Sequence, residues 1–298
     1  MAIKNVALLG ADGKLGPSVL KELFSNGFSV TILKRQSSKS PSNYPSSVKE
    51  VKVPDEFTVD SLVPILEGQD AVVITTSGSL VDLQKRVALA SAKAGVQRLI
   101  PADFGSVDSE SLLARELVPL YVHKRNLRLY LDELTKLYPK FSWTALVCGH
   151  FFDWSLEFMH IWKKERVIDI LDDGNVKASA SSLAQVARAT ARILQNIDLN
   201  DTANRILYVQ SFCKTQIEVK EALERVTGES WSVRSFNRDE FLKDKMSAMK
   251  SGENAIEDVV WWLGVIEANW ENRNGFAMDL LGLEEEDLDS VIRIAVAT

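Results

Sequence analysis

VALLGADGKLG, residues 6–16, is the stretch whose reading decides the fold. Its apolar start lies within IKNVALLG, residues 3–10, a β-branched and apolar run that reads as a buried strand. Gly10, Gly13 and Gly16 follow at a spacing of three. The stretch LGPSVLKELFSNG then carries Pro17 near its first turn and Gly27 just past its end, the punctuation of a helix. Such a turn points backbone N–H groups at an anion with no Cβ in the way. Gly10 permits the tight turn, Gly13 lets a pyrophosphate approach the backbone, and Gly16 lets the helix pack close to the sheet. Asp12, Lys14 and Leu15 complete the candidate contacts within the turn. An ordinary αβ turn can carry the same glycines, but the strand before and the helix after favour a dinucleotide site.

The alternation continues outward. FSVTILKR, VKEVKV, DAVVITT, VQRLIPADFG and FSWTALVCG read as strands. TVDSLVPILEG, LVDLQKRVALASAKAG and YVHKRNLRLYLDELTKLYP read as the helices between them. Strands separated by helices make a parallel sheet covered on both faces, so the fold class is α/β, a doubly wound Rossmann-type sheet. After about residue 151 the rhythm changes. FFDWSLEFMHIW is rich in aromatics, SSLAQVARATARILQN and QIEVKEALERVTG read as helices, and NRILYVQS reads as a strand. The expected organisation is a cofactor domain over 1–152 and, over 153–298, a smaller α+β substrate lobe at the carboxyl edge of the sheet. Elements of about 178–212 return to that sheet.

Composition excludes several classes. The 298 residues are 46% hydrophobic, enough for a substantial core. Net charge is −6 and no basic stripe is visible, which argues against nucleic acid. No apolar run is long enough to span a bilayer, so no membrane partner is expected. The first thirty residues lack signal-peptide zones, and Cys148 and Cys213 make no framework, which reads as a reduced, cytoplasmic protein. His123, His150 and His160 have no zinc-ligand spacing, so no metal is expected.

The end of the second strand selects the dinucleotide. An NAD site usually places an acid there for the ribose hydroxyl. Here Lys34, Arg35 and Lys39 stand instead, cations that pair with a 2′-phosphate, so the expected cofactor is NADP(H). Lys39 alone reads as a solvated loop residue. Thr75, Thr76 and Ser77 after the fourth strand, and Asp103 and Phe104 after the fifth, are the remaining candidates at the same sheet edge.

On the helix through residues 120–138, Leu120, Leu127, Leu131, Leu134 and Tyr138 share one face, and Lys124 lies within roughly 60° of its centre at about 100° per residue. An inward lysine either snorkels to solvent or is put to use, here on the nicotinamide ribose or as a general acid–base. The usual Tyr-x-x-x-Lys pair of short-chain dehydrogenases is not met: Tyr121 stands one residue too close.

These features together resemble the isoflavone reductase-like and NmrA-like group of atypical short-chain dehydrogenases, over nearly the whole chain. VALLGADGKLG is like the group's opening turn, AGVQRLIPADFGS like its "AGVKRFIPSEFG", and HKRNLRLYLDELTKLYPKFSWTALVCGHFFDW like its lysine helix and following strand. The resemblance implies that Arg35 meets the 2′-phosphate with Lys39 nearby, that Lys124 is the catalytic lysine, and that Phe152 lies near the nicotinamide. Two departures stand out. Asp103 replaces the group's glutamate, and His150 replaces its asparagine, either as a titratable donor at the pocket or as a hydrogen-bonded structural histidine. Phe151, Trp154, Trp261 and Trp262 line a pocket for a flat apolar substrate or pack the core. The implied function is NADPH-dependent reduction of an aromatic or polyketide-like small molecule of secondary metabolism, with Lys124 relaying the proton alongside His150. The chain would act as a monomer or homodimer. The alternatives are an NADP(H)-sensing regulator without catalysis, and a redox-neutral isomerase or cyclase.

Overall fold

A computed structural model describes residues 2–195 and 199–297. The chain runs through Asn5–Leu9 (β1), Gly16–Ser25 (α1), Ser29–Arg35 (β2), Lys49–Val53 (β3), Val59–Leu66 (α2), Ala71–Ile74 (β4), Val81–Ala94 (α3) and Arg98–Ile100 (β5). Leu112–Leu117 (α4) and Pro119–Leu137 (α5) lead to Ser142–Val147 (β6), followed by His150–Phe151 (β7), Ile161–Trp162 (β8), Val167–Leu171 (β9) and Ala178–Ser181 (β10). Leu183–Leu194 (α6), Leu199–Thr202 (α7), Arg205–Tyr208 (β11), Phe212–Lys214 (β12), Gln216–Thr227 (α8), Ser232–Phe236 (β13), Arg238–Lys250 (α9), Ile256–Glu267 (α10) and Leu288–Ala297 (α11) complete it. Asn196, expected to end the helix that begins near Ser181, lies outside the described residues.

The chain forms two compact units. One comprises Met1–Asp103, Val122–Leu146 and Ala187–Leu207; the other comprises Phe104–Tyr121, Val147–Val186 and Tyr208–Thr298. The first is built on a seven-stranded sheet of order β11-β6-β5-β4-β1-β2-β3, with β6 through β3 paired in parallel. The order reverses between β4 and β1, the switch point at which doubly wound sheets bind ligands. Strands here are buried on both faces and read as continuous apolar runs, as in the wholly buried Ala71–Ile74. Leu62, Leu66, Val87, Leu127 and Leu131 fill the core against the sheet, each contributing roughly 1.5–3 kcal/mol on full burial. Local chemistry sets the ends: Thr58 caps α2, and Gly95, at a φ of +84°, closes α3 in the left-handed conformation.

The second unit carries two sheets of three strands, β12-β10-β7 and β13-β9-β8. The segment expected to return to the large sheet therefore divides: β11 joins it, while β10 and β12 pair antiparallel in a small sheet of their own. The short strands β7 to β10 were hidden in the sequence by their length and by polar residues such as Ser179 and Ser181, whose hydroxyls are hydrogen-bonded inside the unit. Helix α8 opens with a capping box between Thr215 and Glu218, and α10 buries Trp261, Trp262 and Leu263. Among the described residues no helix is long and apolar enough to cross a membrane, and no cluster of His, Cys, Asp and Glu could hold a metal ion.

Candidate active site

In the first unit, β1 is followed by Gly10, whose φ of +95° is open to glycine; a Cβ there would stand 2.8 Å from the Thr75 carbonyl carbon. A Cβ on Gly16 would stand 2.2 Å from the Gly10 oxygen, so the turn itself demands both glycines. Gly13 differs. Its N–H donates to the Gly10 oxygen at 3.0 Å, it is exposed, and an added Cβ would meet that oxygen at 3.3 Å, a modest crowding. Leu15 stands at the N-cap of α1 without a side-chain cap, and the first turn holds no acid, so its N–H groups keep their affinity for an anion. Thr75 Oγ1 is spent on the Leu9 and Gly10 carbonyls, at 3.1 and 3.0 Å. Thr76 Oγ1 is buried with no hydrogen-bond partner among the described residues, although a Gly10 Cβ would fall 2.8 Å from the Thr76 nitrogen. Ser77 is exposed and shares a hydrogen bond with Ser79. An uncapped helix start, an open surface over Gly13 and an orphan hydroxyl together suit a phosphate-bearing ligand.

The cations after β2 separate. Arg35, Lys39 and, in the turn, Lys14 are exposed. Lys34 is buried, and its ammonium lies 3.1 Å from Asp12 Oδ2, donates to the Ser40 carbonyl at 2.8 Å and reaches Tyr44 Oη at 3.3 Å. Asp12 also accepts from Ser40 at 2.5 Å and from the Tyr44 hydroxyl. Burial pushes the Asp12 carboxyl up, but its bonds from Ser40, Tyr44 and Lys34 outweigh burial and hold it below the usual range. Asp12 thus ties the glycine turn to the 40–44 loop, which accounts for an acid beside an anion-binding turn. Lys34, expected at the phosphate, is engaged inside this latch.

Helix α5 buries Tyr121, Lys124, Leu127, Arg128, Leu131 and Leu134, a stripe at helical spacing. Lys124 donates to the Asp103 carbonyl and lies 4.0 Å from Asp103 Oδ1, while Arg128 Nε bonds Asp103 Oδ2 at 2.6 Å. Asp103 therefore orients both cations. Arg128 went unread in the sequence, though its position four residues after Lys124 puts it on the same inward face. Phe104, next to Asp103, holds a φ of +31°, a strained value for a bulky residue. Tyr121 is buried, its hydroxyl 2.8 Å from Ser106 Oγ.

In the second unit, Gly149 swings the chain from β6 into β7; a Cβ on it would stand 2.0 Å from the Ser179 oxygen. Pairing with Ala180 then fixes His150 in the wall of an open cavity. Its Nε2 lies 3.5 Å from the Trp261 carbonyl, and Phe158 meets the ring edge-on at 5.2 Å. Gly264 on α10 makes room: a Cβ there would stand 1.8 Å from His150 Nε2. The sequence holds one trace of this, a glycine inside an otherwise helical apolar run. Full burial, more than the Trp261 bond offsets, pushes the imidazole down to about 4. At neutral pH His150 is uncharged, and a carbonyl only accepts, so Nε2 carries the proton toward Trp261. Of the two readings of His150, a titratable donor or a hydrogen-bonded structural histidine, its burial and the Trp261 contact favour the second.

Phe152 and Trp261 line the same cavity, Phe152 edge-on to Phe212 at 5.3 Å. Three other expected lining residues do not. Trp262 is turned into the core, where its indole N–H donates to the Arg238 carbonyl at 2.8 Å. Trp154 is 42% exposed and stacks on Phe158, and Phe151 packs beside Trp154. Strand alternation explains part of this, because Phe151 and Phe152 point to opposite sides.

A parallel sheet of this order with a glycine turn at its switch point defines a Rossmann-type, doubly wound α/β fold. The NmrA-like family model matches residues 3–269, and the chain belongs to that family. Oxidoreductase aprR of Aspergillus flavus is 33% identical over 254 residues, covering 85% of this chain and 83% of that protein. Oxidoreductase poxI of Penicillium oxalicum is 26% identical over 294 residues, covering 95% and 90%. Among solved structures, the leucoanthocyanidin reductase–NADPH complex from Vitis vinifera superposes with a TM-score of 0.80 at 18% identity, over 99% of this chain and all of that one. AtPrR2 with NADP+ and (+)pinoresinol gives 0.78 at 20% identity, over 99% of both chains. At these identities the structural likeness speaks for the fold.

Proposed function

We propose that the chain is an NADPH-dependent reductase of a small, largely aromatic molecule. The observation that carries this is the glycine turn, where the packing demands Gly10 and Gly16 but leaves Gly13 open beneath an uncapped helix start and the unpartnered Thr76 hydroxyl. Those groups would hold the pyrophosphate, and exposed Arg35, with Lys39, would meet the 2′-phosphate, while Lys34 stabilises the loop that presents them. When bound, the nicotinamide supplies a hydride. Lys124, oriented by the Asp103 carbonyl, holds the proton at Nζ, and Arg128 keeps Asp103 in place. The oxidoreductase names of both fungal relatives, and the NADP(H) named with two structures of the same fold, support the reading.

The test is binding of NADPH and NADP+ by the purified chain, followed by NADPH oxidation with a panel of aromatic enones. Lys124→Ala should keep NADPH binding and lose about 100-fold or more in turnover. Full turnover in that variant overturns the role of the lysine. Binding with no turnover on any substrate favours a dinucleotide sensor, and substrate conversion without nicotinamide oxidation favours a redox-neutral enzyme.

A further inference from the structure

The cavity of the second unit is apolar over most of its wall, through Phe152, Ile161, Ile168, Phe212 and Trp261. Its polar atoms are nearly all spent. Thr215 Oγ1 caps α8 by accepting from the Glu218 N–H at 3.1 Å. Gln216 accepts from the Leu171 N–H at 2.9 Å and donates to the Asp169 carbonyl at 3.1 Å. Ser179 Oγ donates to Gln210 at 2.7 Å and accepts from the Trp270 N–H at 3.1 Å. Lys214 pairs with Glu218 at 3.4 Å. One buried atom is left over. His150 is 4% exposed, and its Nδ1 has no hydrogen-bond partner among the described residues.

The protonation of that atom follows from its neighbour. Nε2 faces a carbonyl oxygen, which only accepts, so the neutral ring carries its hydrogen on Nε2 and leaves a bare lone pair at Nδ1, a buried atom of a residue that lines the cavity. Gly264 lets the ring sit close enough to α10 to hold this tautomer. A buried acceptor left unpaired is costly, and a ligand that donates to it recovers that cost.

We infer that this cavity binds an uncharged, predominantly aromatic small molecule through a hydroxyl that donates to His150 Nδ1. A ligand offering only a carbonyl at that point meets lone pair with lone pair and is disfavoured. The cavity thus discriminates phenols, enols and alcohols from their ketone or ether counterparts. Calling the molecule the substrate rests on the reductase reading; the binding preference does not, and it is testable without cofactor.

The experiment uses the full chain labelled with ¹⁵N-histidine. Three probes are titrated by calorimetry and by NMR: 2-naphthol, its near-isostere 2-fluoronaphthalene, which cannot donate, and 2-acetylnaphthalene, which can only accept. The His150 signals are assigned with His150→Phe and His150→Asn. The expected result is a pyridine-type Nδ1 and a pyrrole-type Nε2 in the free protein. 2-Naphthol should then bind about tenfold more tightly than 2-fluoronaphthalene, with the Nδ1 resonance moving upfield. His150→Phe should abolish the preference, and His150→Asn, whose carbonyl also accepts, should keep part of it. Should His150→Phe fail to fold, the tautomer and the probe ranking in the unaltered chain decide the matter. A protonated Nδ1, equal affinities, a preference for 2-acetylnaphthalene, or no binding of any probe at its solubility limit each overturns the inference. NADPH oxidation plays no part in these readouts, so failure of the reductase reading would leave them standing.

Discussion

Lys34 Nζ lies 3.1 Å from Asp12 Oδ2, so a cation at the end of β2 is bound to the acid of the glycine turn and withdrawn from solvent. Removing the acid leaves the buried ammonium with neutral acceptors and one more distant carboxylate, Glu50, at 4.0 Å. Asp12→Asn should lower stability by about 2 kcal/mol at pH 7, read by urea denaturation. Burial raises the Asp12 carboxyl, but its hydrogen bonds carry it below the unfolded value, so its contribution is present above that value and fades as pH falls through the folded one. The gap between the two proteins should therefore close in strong acid. A gap unchanged at pH 2 would show that the charge is irrelevant.

Gly13 and Gly16 should separate folding from binding. Gly16→Ala drives a Cβ to 2.2 Å from a carbonyl oxygen and should cost about 3 kcal/mol or more. Gly13→Ala faces only a 3.3 Å contact and should cost about 1 kcal/mol or less, yet weaken NADPH at least about tenfold by fluorescence titration. Unimpaired NADPH binding in Gly13→Ala would remove the phosphates from this turn.

The buried His150 imposes an acid limit on the fold. Its imidazole is pushed down by burial to about 4, below its unfolded value, so the unfolded chain binds the extra proton between those values. Stability is greatest above the unfolded pKa and falls with pH through this window, by about 3 kcal/mol in all. Chemical denaturation of the chain and of His150→Asn from pH 7 to 4 should show a steeper loss in the unaltered protein. Parallel curves would contradict the burial argument.

Gly264 and His150 share one space, since a Cβ on the glycine would stand 1.8 Å from the ring nitrogen. Gly264→Ala should destabilise by about 3 kcal/mol despite the better helix propensity of alanine. In the double variant with His150→Ala much of that loss should return, because the clashing ring is gone. Simple additivity of the two single effects would mean that the glycine serves something other than the histidine.

Much of the first unit was legible because its signals are local. Burial on both faces turns β1, β2 and β4 into continuous apolar runs, Thr58 and Gly95 mark helix ends, and the stripe on α5 announces an inward Lys124. The second unit was less so. Strands of two to four residues such as β7 and β10 carry too little pattern to read, and His150, Trp261 and Trp262 admit both core and pocket until their neighbours are known.

The sequence by itself determined the Rossmann-type sheet, the glycine turn at its switch point and the inward lysine, because periodicity, turn glycines and helix caps act over a few residues. Only the tertiary structure decided which polar groups remain available to a ligand. Lys34 closes on Asp12, Trp262 turns to the Arg238 carbonyl, and His150 loses its charge and offers a lone pair, because hydrogen-bond partners and burial come from residues far apart in the chain.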